Sequence, residues 1–459
     1  MSAEPTIVQV PWGSGSMNIP LPDRWELVQA ATPELRSAPS DWPDRLAVAL
    51  NKPVAGDSLS ETLRGLEPGA RISLIIEDLT RHSPLHEILP ILLRELRHNG
   101  VDDSQLEFVI AAGMHPPMSY EQFAEKVGPE AAAIAWRTNP WDDPTAYLEL
   151  GTINHMPVRI DRGVATSDLR IIVSSVSPHL QAGFGGGYKM FFPGCSELSS
   201  IRLLHRFGIK KRSMDQLVGL DPNANAMRRA IDQAGELVDR YHGQTFAIQY
   251  LLDGDDLPVY IAAGTPTAAH TMISKQCAVA CGIIPEQPAD VLITNAYPRD
   301  LDLWQCFKAI PNTCWAAREG GVVICLARCP MGANEMKIPR WGLSPYWTRQ
   351  LVKFIGPSNI TALVDRLVAN VAGDSQWFIR LATQILQRNH LLMVSPTLVE
   401  QGVKFPGISL FYSVEDALKH AKKLLGRKSQ RLAVYTAGGS SYPVLRSAKS
   451  PKPTEEPEE

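Results

Sequence analysis

The stretch LRIIVSSVSPHLQAGFGGGYK, residues 169–189, indicates the fold of this chain. Its apolar start, Leu169–Val176, predicts a buried strand, and a glycine-rich loop follows that strand directly. Strands that end in such loops are typical of open α/β sheets, which bind ligands at the carboxyl ends of their strands. His179 precedes the loop, Lys189 ends it and His205 follows. The stretch from Val176 to His205 therefore combines a proton carrier, a nucleophilic amine and a metal ligand.

The glycine loop does not match either common nucleotide-binding fingerprint. A Walker A loop needs lysine directly after its last glycine and then Ser or Thr, but Tyr188 intervenes and Met190 follows. The dinucleotide fingerprint, counted from Gly183, would need glycine where Tyr188 stands. What remains is a run of residues without Cβ, Gly185–Gly187, whose backbone N–H groups can approach a phosphate. A tight turn at a strand end is the simpler alternative.

Two other strand-like runs end in polar residues. RISLIIED leads into Asp78 and Arg81, with Pro84 opening the next helix, and LEFVIAAGMHPP leads into His115. If these strands neighbour the one before His179, all three clusters lie on one edge of the sheet. Taken alone, Asp78 and Arg81 also fit a turn residue and its ion-pair partner.

Five stretches, taken in order, resemble the lactate racemase family, whose members use a nickel-pincer nucleotide. They cover most of the chain: DLTR at 78–81, AAGMHPP at 111–117, SPHLQAGFGGGYK at 177–189 with PG at 193–194, the histidine at 205, and AYPRDLDLWQCFKA at 296–309. Each motif is weak by itself, whereas five in sequence order are not expected by chance.

The resemblance implies how a nickel-pincer nucleotide would be held. Lys189 matches the lysine to which the family attaches the cofactor, and an amine suits acyl capture. His205 matches the nickel ligand, and imidazole is a good ligand for nickel. From its own context, LSSIRLLHRFG, His205 reads only as a helix-end residue. We assign to cofactor binding Lys189, Gly185, Gly186, Gly187 and Asp78. Cofactor-maturation proteins are implied as partners.

The resemblance also implies the catalytic and substrate-binding residues. His115 and His179 match the family's acid/base pair, and imidazole titrates near neutral pH. Four residues match substrate-binding positions: Arg81, Lys308, Gln305 and Trp304. The two cations would hold a carboxylate, Gln305 would donate hydrogen bonds, and Trp304 would form an aromatic wall. Trp304 stands where we would expect tyrosine, which leaves the substrate side chain open.

These assignments predict an isomerase that inverts C2 of a 2-hydroxy acid by proton-coupled hydride transfer. Removing hydride avoids a carbanion beside the carboxylate and leaves a planar 2-keto acid. A sugar-acid (aldonate) 2-epimerase of the same family is the alternative, and a zinc-dependent hydrolase or lyase is a more distant one. A nicotinamide dehydrogenase lacks its fingerprint here, and a cofactor carrier would not need two histidines.

Length and patterning predict two layered α/β domains with the active site in the cleft between them. We expect an N-terminal catalytic and cofactor-binding domain over 1–270 and a C-terminal domain over 271–435, with the chain end able to return to the first domain. Residues 446–459 are proline-rich and acidic and predict a disordered tail.

Composition predicts a cytoplasmic enzyme that acts on a small molecule. The net charge of -3 gives no reason to expect nucleic acid, and no apolar run is long enough to span a membrane. The start of the chain lacks the basic and apolar regions of an export signal. Seven cysteines, an odd number, disfavour a disulfide scaffold.

Overall fold

The computed structural model describes residues 6–208, 216–333, 343–367, 376–426 and 429–445. The chain divides into two compact units. The amino unit consists of the described parts of 34–281 and 357–382. The carboxyl unit consists of the described parts of 6–33, 282–356 and 383–445. Within the described residues, no helix has the length and hydropathy to cross a membrane.

Helices connect most of the strands in both units. In chain order they are α1 Trp42–Asn51, α2 Leu59–Arg64, α3 Leu85–His98, α4 Tyr120–Val127, α5 Pro129–Ala132, α6 Arg162–Ala165, α7 Leu198–Phe207, α8 Ala226–Tyr241, α9 Pro266–Cys281, α10 Leu303–Phe307, α11 Ala309–Thr313, α12 Pro345–Ile355, α13 Pro357–Leu367, α14 Gln376–Arg388, α15 Pro396–Glu400 and α16 Val414–Leu425.

The strands build two six-stranded sheets and several small ribbons. In chain order they are β1 Ile7–Trp12, β2 Gly15–Pro20, β3 Trp25–Ala31, β4 Ile72–Ile76, β5 Leu106–Ile110, β6 Ala135–Thr138, β7 Tyr147–Ile153, β8 Met156–Asp161, β9 Leu169–Ser175, β10 Pro178–His179, β11 Gly183–Phe184, β12 Gln244–Leu252, β13 Pro258–Gly264, β14 Gly282–Ile283, β15 Ala289–Asn295, β16 Ala317–Leu326, β17 His390–Val394, β18 Ile408–Phe411, β19 Gln430–Tyr435 and β20 Tyr442–Pro443.

The amino unit is built on the sheet β13-β12-β9-β4-β5-β6, in which only β13 runs antiparallel to its neighbour. Every residue of β4 and β9 is buried, as continuous apolar runs predict for parallel strands covered on both faces. Helix α3 packs into the same core through residues spaced three and four apart: Leu85, Ile88, Leu89, Leu92, Leu93 and Leu96.

The carboxyl unit is built on the parallel sheet β18-β17-β16-β15-β19-β3. Its edge strand β3 comes from the start of the chain and pairs with β19, near the end of the described chain. The preceding hairpin, β1 with β2, places Val10 and Ile19 in the core of this unit. The expected α/β architecture with two domains is confirmed.

The limits of the two units differ from the sequence prediction. The boundary expected after residue 270 falls inside α9, whose buried residues Ile273 and Cys277 continue the packing of that helix in the amino unit. The unit therefore ends at Cys281. The first 33 residues belong to the carboxyl unit, because a strand pairing that local sequence cannot reveal joins β3 to β19. The tail predicted at 446–459 lies outside the described residues.

Candidate active site

Three neighbouring parallel strands of the amino unit end at one edge of the sheet. Strand β4 lies between β9 and β5, and Ile76 pairs with Val173 on one side and Ile110 on the other. The loops after these strands carry the residues singled out above: Asp78, Arg81, His115, His179 and Lys189. The structure thus brings together the three strand ends that the sequence predicted to meet, while the roles of these residues stay predictions.

Asp78 and His115 form a hydrogen-bonded pair at this edge, through Asp78 Oδ2 and His115 Nδ1. The other carboxylate oxygen accepts hydrogen bonds from the Thr80 backbone N–H at 3.0 Å and the Thr80 hydroxyl at 2.6 Å. Burial alone would raise the pKa of Asp78, but the hydrogen bond and charge of His115, with the charge of Arg81, hold it well below its usual range. The sequence assigned Asp78 to cofactor binding, whereas its contact here is to a catalytic candidate.

Arg81 lies close enough to these groups to change their ionisation. Its positive charge lowers the pKa values of Asp78, His179 and Lys189. Its Nη1 donates to the Thr80 carbonyl at 3.2 Å and the Thr80 hydroxyl at 3.1 Å. The backbone of Arg81 is held as well, because Lys126 Nζ donates to its carbonyl at 2.8 Å.

His179 contacts the backbone rather than a carboxylate. Its Nδ1 accepts hydrogen bonds from the N–H groups of Gln181 at 3.3 Å and Ala182 at 3.1 Å. Burial among protein atoms, followed by the nearby charges of Lys189 and Arg81, lowers the pKa of His179 well below its usual value. The ring is therefore neutral at neutral pH, although part of its surface reaches solvent.

Lys189 lies in a short 3-10 helix, Gly187–Met190, directly after the glycine loop. Burial, followed by the charges of Arg81 and Arg228, lowers the pKa of Lys189 to about 7, although the carboxylates of Asp78 and Glu77 act in the opposite direction. A large fraction of this amine is therefore unprotonated at neutral pH. That is the form of an amine that attacks an acyl group.

Two of the three N–H groups that the sequence suggested for a phosphate are hydrogen-bonded within the protein, while the assignment of this loop to cofactor binding stays a prediction. The Gly185 N–H donates to the Ser177 carbonyl at 2.8 Å, and the Gly187 N–H donates to Gln249 Oε1 at 2.7 Å. Two of the three donors thus bond within the protein. Glycine is required for a different reason: Gly187 has φ +61°, and a Cβ on it would lie 3.1 Å from the His270 side chain.

Buried polar side chains hold the backbone carbonyls and one N–H group of this loop, and sequence reasoning missed two of them. Arg228, on α8, is fully buried and donates to the carbonyls of Gly186, at 3.2 Å, and Phe184. His270 Nε2 lies 2.9 Å from the Gly185 carbonyl. The missed signals were an arginine on the apolar stripe of α8 and Gln249 within the apolar strand β12.

His205, the predicted nickel ligand, lies on α7 and is partly exposed. Gln181 Nε2 donates to the His205 carbonyl at 2.8 Å, and His205 is near enough for its charge to lower the pKa of His179. Across the described ranges, no group of three or more His, Cys, Asp or Glu side chains is placed to hold a metal ion.

The remaining predicted residues belong to the carboxyl unit, on and after helix α10. The Asp302 side chain caps this helix by accepting from the Gln305 N–H at 2.8 Å. Lys308 Nζ donates to Gln305 Oε1 at 2.8 Å, so these two side chains form one polar group. Trp304 is 36% exposed. Their assignment to substrate binding stays a prediction.

Comparison with known proteins gives family matches along most of the chain. A family model described as the lactate racemase N-terminal domain matches residues 12–216, and the lactate racemase C-terminal domain matches 284–441. A lactate racemase from Thermoanaerobacterium thermosaccharolyticum is 24% identical over 436 residues, covering 92% of this chain and 96% of that protein. One from Lactiplantibacillus plantarum is 28% identical over 285 residues, covering 61% of this chain and 64% of that protein, so this match spans less than two thirds of its length.

Solved structures share the fold. The lactate racemase apoprotein from Thermoanaerobacterium thermosaccharolyticum matches with a TM-score of 0.80 at 21% identity, covering 96% of this chain and 100% of that one. A crystal structure of a protein from Thermotoga maritima matches with a TM-score of 0.61 at 15% identity, covering 88% and 98%. At these identities the likeness shows the fold alone.

Proposed function

Because this chain belongs to the lactate racemase family, an isomerase family, we propose that it inverts the C2 carbon of a 2-hydroxy acid with a nickel-pincer nucleotide as cofactor. The observation that carries the proposal is the Asp78–His115 pair, which shares a sheet edge with His179 and Lys189. The carboxylate and both imidazoles are the groups that proton transfer at a substrate hydroxyl requires.

The chain offers residues that fit the proposed cofactor. Lys189 has the lowered pKa, about 7, that an amine needs for covalent attachment near neutral pH. His205 would supply the imidazole ligand to nickel. When bound, this group supplies an acceptor for the hydride of C2. Proteins that mature the cofactor are proposed as partners, since the chain itself supplies only the point of attachment.

Arg81 would bind the substrate carboxylate. Its Nη1 contact to Thr80 holds the guanidinium end of the side chain, and Lys126 holds its backbone carbonyl, which lowers the entropy lost on binding. The planar guanidinium pairs with a carboxylate through two parallel hydrogen bonds. Lys308 and Gln305 would add polar contacts from the carboxyl unit, and Trp304 an aromatic surface.

Proton transfer would then fall to the two histidines. His115 is oriented by the ionised Asp78 carboxylate, which stabilises the imidazolium formed when the ring takes a hydroxyl proton. His179 is neutral and close to Lys189 and Arg81. With the carboxylate held in place, rotation about the C1–C2 bond exchanges the two faces of the keto acid and moves its oxygen from one histidine to the other.

The test is to coexpress the chain with cofactor-synthesis enzymes and assay enantiopure lactate, longer 2-hydroxy acids and aldonates by chiral chromatography in D₂O. We expect inversion with the C2 hydrogen retained, because hydride returns to the carbon it left. Intact mass should rise for the wild-type chain and not for Lys189→Ala. Deuterium at C2, or inversion by a chain of unmodified mass, would contradict the proposal.

A further inference from the structure

The two histidines of the site meet opposite kinds of partner through the same ring nitrogen. His115 Nδ1 faces the Asp78 carboxylate, which only accepts hydrogen bonds when it is ionised. His179 Nδ1 faces the N–H groups of Gln181 and Ala182, which only donate. A neutral imidazole carries one proton, and the partner of one nitrogen decides which nitrogen holds it.

We infer that the two rings are preset in opposite tautomers, so that His115 presents an unprotonated Nε2 to the substrate oxygen and His179 presents Nε2–H. The inference rests on the proposed function, because it assigns the resting roles within that site. His115 is then the proton acceptor of the resting enzyme and His179 the proton donor. Asp78 and the backbone of Gln181 and Ala182 are positioning groups that act through the rings.

The partners of both rings are fixed by the fold. Thr80 donates twice to Asp78 Oδ1, which leaves Oδ2 for His115. The segment after His179 is anchored at Gln181, whose carbonyl accepts from Asn225 Nδ2 at 2.9 Å. It is closed by the pairing of His179 with Gly183. The tautomers should therefore exist in the protein before any ligand binds.

The proton balance follows from this arrangement. A hydroxyl that faces His115 gives its proton to Nε2 as C2 loses hydride, and the imidazolium pairs with Asp78. After the keto acid turns, its oxygen accepts a hydrogen bond from His179 Nε2–H and takes that proton as C2 regains hydride. His179 is then an imidazolate, whose Nδ1 still accepts from the N–H groups of Gln181 and Ala182. Solvent then returns one proton to His179 and removes one from His115. The opposite enantiomer starts against a donor, so its turnover requires the proton arrangement that the first turnover leaves, with Nε2 protonated in His115 and unprotonated in His179.

The direct test is nitrogen-15 NMR of the histidine rings in the protein without cofactor, at a pH where both rings are neutral. Protonated and unprotonated ring nitrogens differ widely in chemical shift, and the couplings to the ring protons identify Nδ1 and Nε2. His115→Gln and His179→Gln assign the signals. We expect protonated Nδ1 in His115 and protonated Nε2 in His179. The same tautomer in both rings would overturn the inference.

Asp78→Asn tests the positioning role, with Asp168→Asn as its matched control. Thr80 should keep the amide oxygen, so that the NH₂ group faces His115 and moves its proton to Nε2. Asp168 contacts His242 Nε2 at 2.9 Å, and its other oxygen accepts from the Arg71 N–H at 2.8 Å. The control should therefore change only the His242 ring. An unchanged His115 spectrum in folded Asp78→Asn contradicts the inference.

Activity measurements on the matured enzyme give an independent test of the inference. In the matured enzyme, Asp78→Asn should lower kcat by about 100-fold or more, while Asp168→Asn should stay within about twofold of wild type. His179→Gln, which keeps an N–H donor, should retain more activity than His179→Ala. If His115 and His179 hold opposite tautomers but the matured protein has no racemase activity, only the proposed function is refuted. If the protein is a racemase but both rings hold the same tautomer, only this inference is refuted.

Discussion

The amino unit carries an Asp–His pair at each end of its sheet, and only one of them lies in a candidate site. Asp78 and His115 follow the carboxyl ends of β4 and β5, whereas Asp168 precedes β9 and contacts His242 just before β12. Both pairs join a carboxylate to an imidazole, through Nδ1 in His115 and Nε2 in His242. Their burial differs, because the Asp78 side chain is 9% exposed and the Asp168 side chain 35%.

The difference lies in what surrounds each pair. Asp78 and His115 share their edge with Arg81, His179 and Lys189. Neighbouring charges at this edge contribute to the lowered pKa values of Asp78, His179 and Lys189. The other end has an open depression of about 490 Å³, lined by 65–70, Asp168, Gly243 and Gln244. Its titratable side chains are Glu67 and Asp168 alone. Converging chemical groups, rather than cavity volume, mark the site.

The largest contrast should come from removing each imidazole. His115→Ala removes the proton carrier and should lower kcat of the matured enzyme by about 100- to 10,000-fold. His242→Ala should stay within about twofold of wild type. Chiral chromatography of product formation measures both. Equal losses in the two variants would mean that position on the sheet does not distinguish the pairs.

The second contrast concerns the reactivity of the Lys189 amine. Because its pKa is lowered to about 7, the neutral amine predominates above that pH and is lost as the pH falls through it. At pH 7 its neutral fraction should exceed that of an ordinary lysine by about a thousandfold. Acylation of the apoprotein, followed by peptide mass spectrometry across pH, should give a midpoint near 7 for Lys189.

Arg81→Met in the same experiment should move that midpoint upward, since the variant removes a positive neighbour of Lys189. A midpoint in the ordinary lysine range for the wild-type chain would contradict the electrostatic description of the sheet edge.

A smaller effect is expected on substrate affinity. Arg81→Met should lower kcat/KM by about 10- to 100-fold, mostly through KM, because a charged hydrogen bond to the carboxylate is lost. The matched change is Arg71→Met at the opposite end, where the side chain donates to the Thr166 carbonyl at 2.7 Å and to the Thr166 hydroxyl at 3.3 Å. That variant should lie within about twofold of wild type. A loss confined to kcat would argue against carboxylate binding by Arg81.

The smallest contrast concerns glycines at the two ends. Gly187→Ala places a side chain at φ +61° and against His270, whereas Gly69→Ala meets a similar φ of +80° with nothing within 4 Å. Backbone strain of about 1 kcal/mol should affect both variants, and crowding should add about 1 kcal/mol or more to the first. Calorimetric melting compares them, and a larger loss for Gly69→Ala would contradict the packing described beneath the loop.

Much of the site could be predicted because its residues directly follow apolar strands. The runs before Asp78, His115 and His179 are local signals, and each places its polar residues at a strand end. Arg228 and Gln249 were missed because a buried polar residue resembles an exposed one in sequence. Arg228 pairs with loop carbonyls and Gln249 with the Gly187 N–H group, and only the folded chain brings these partners together.

Local sequence is sufficient to specify the strands, the residue types at their ends and the glycines that accept positive φ, since these depend on neighbours along the chain. The tertiary structure decided that β4 lies between β9 and β5, that β3 crosses to the sheet of the carboxyl unit, and which partners meet His115 and His179. Strand order and ring hydrogen bonds join residues far apart in sequence, and no local pattern encodes them.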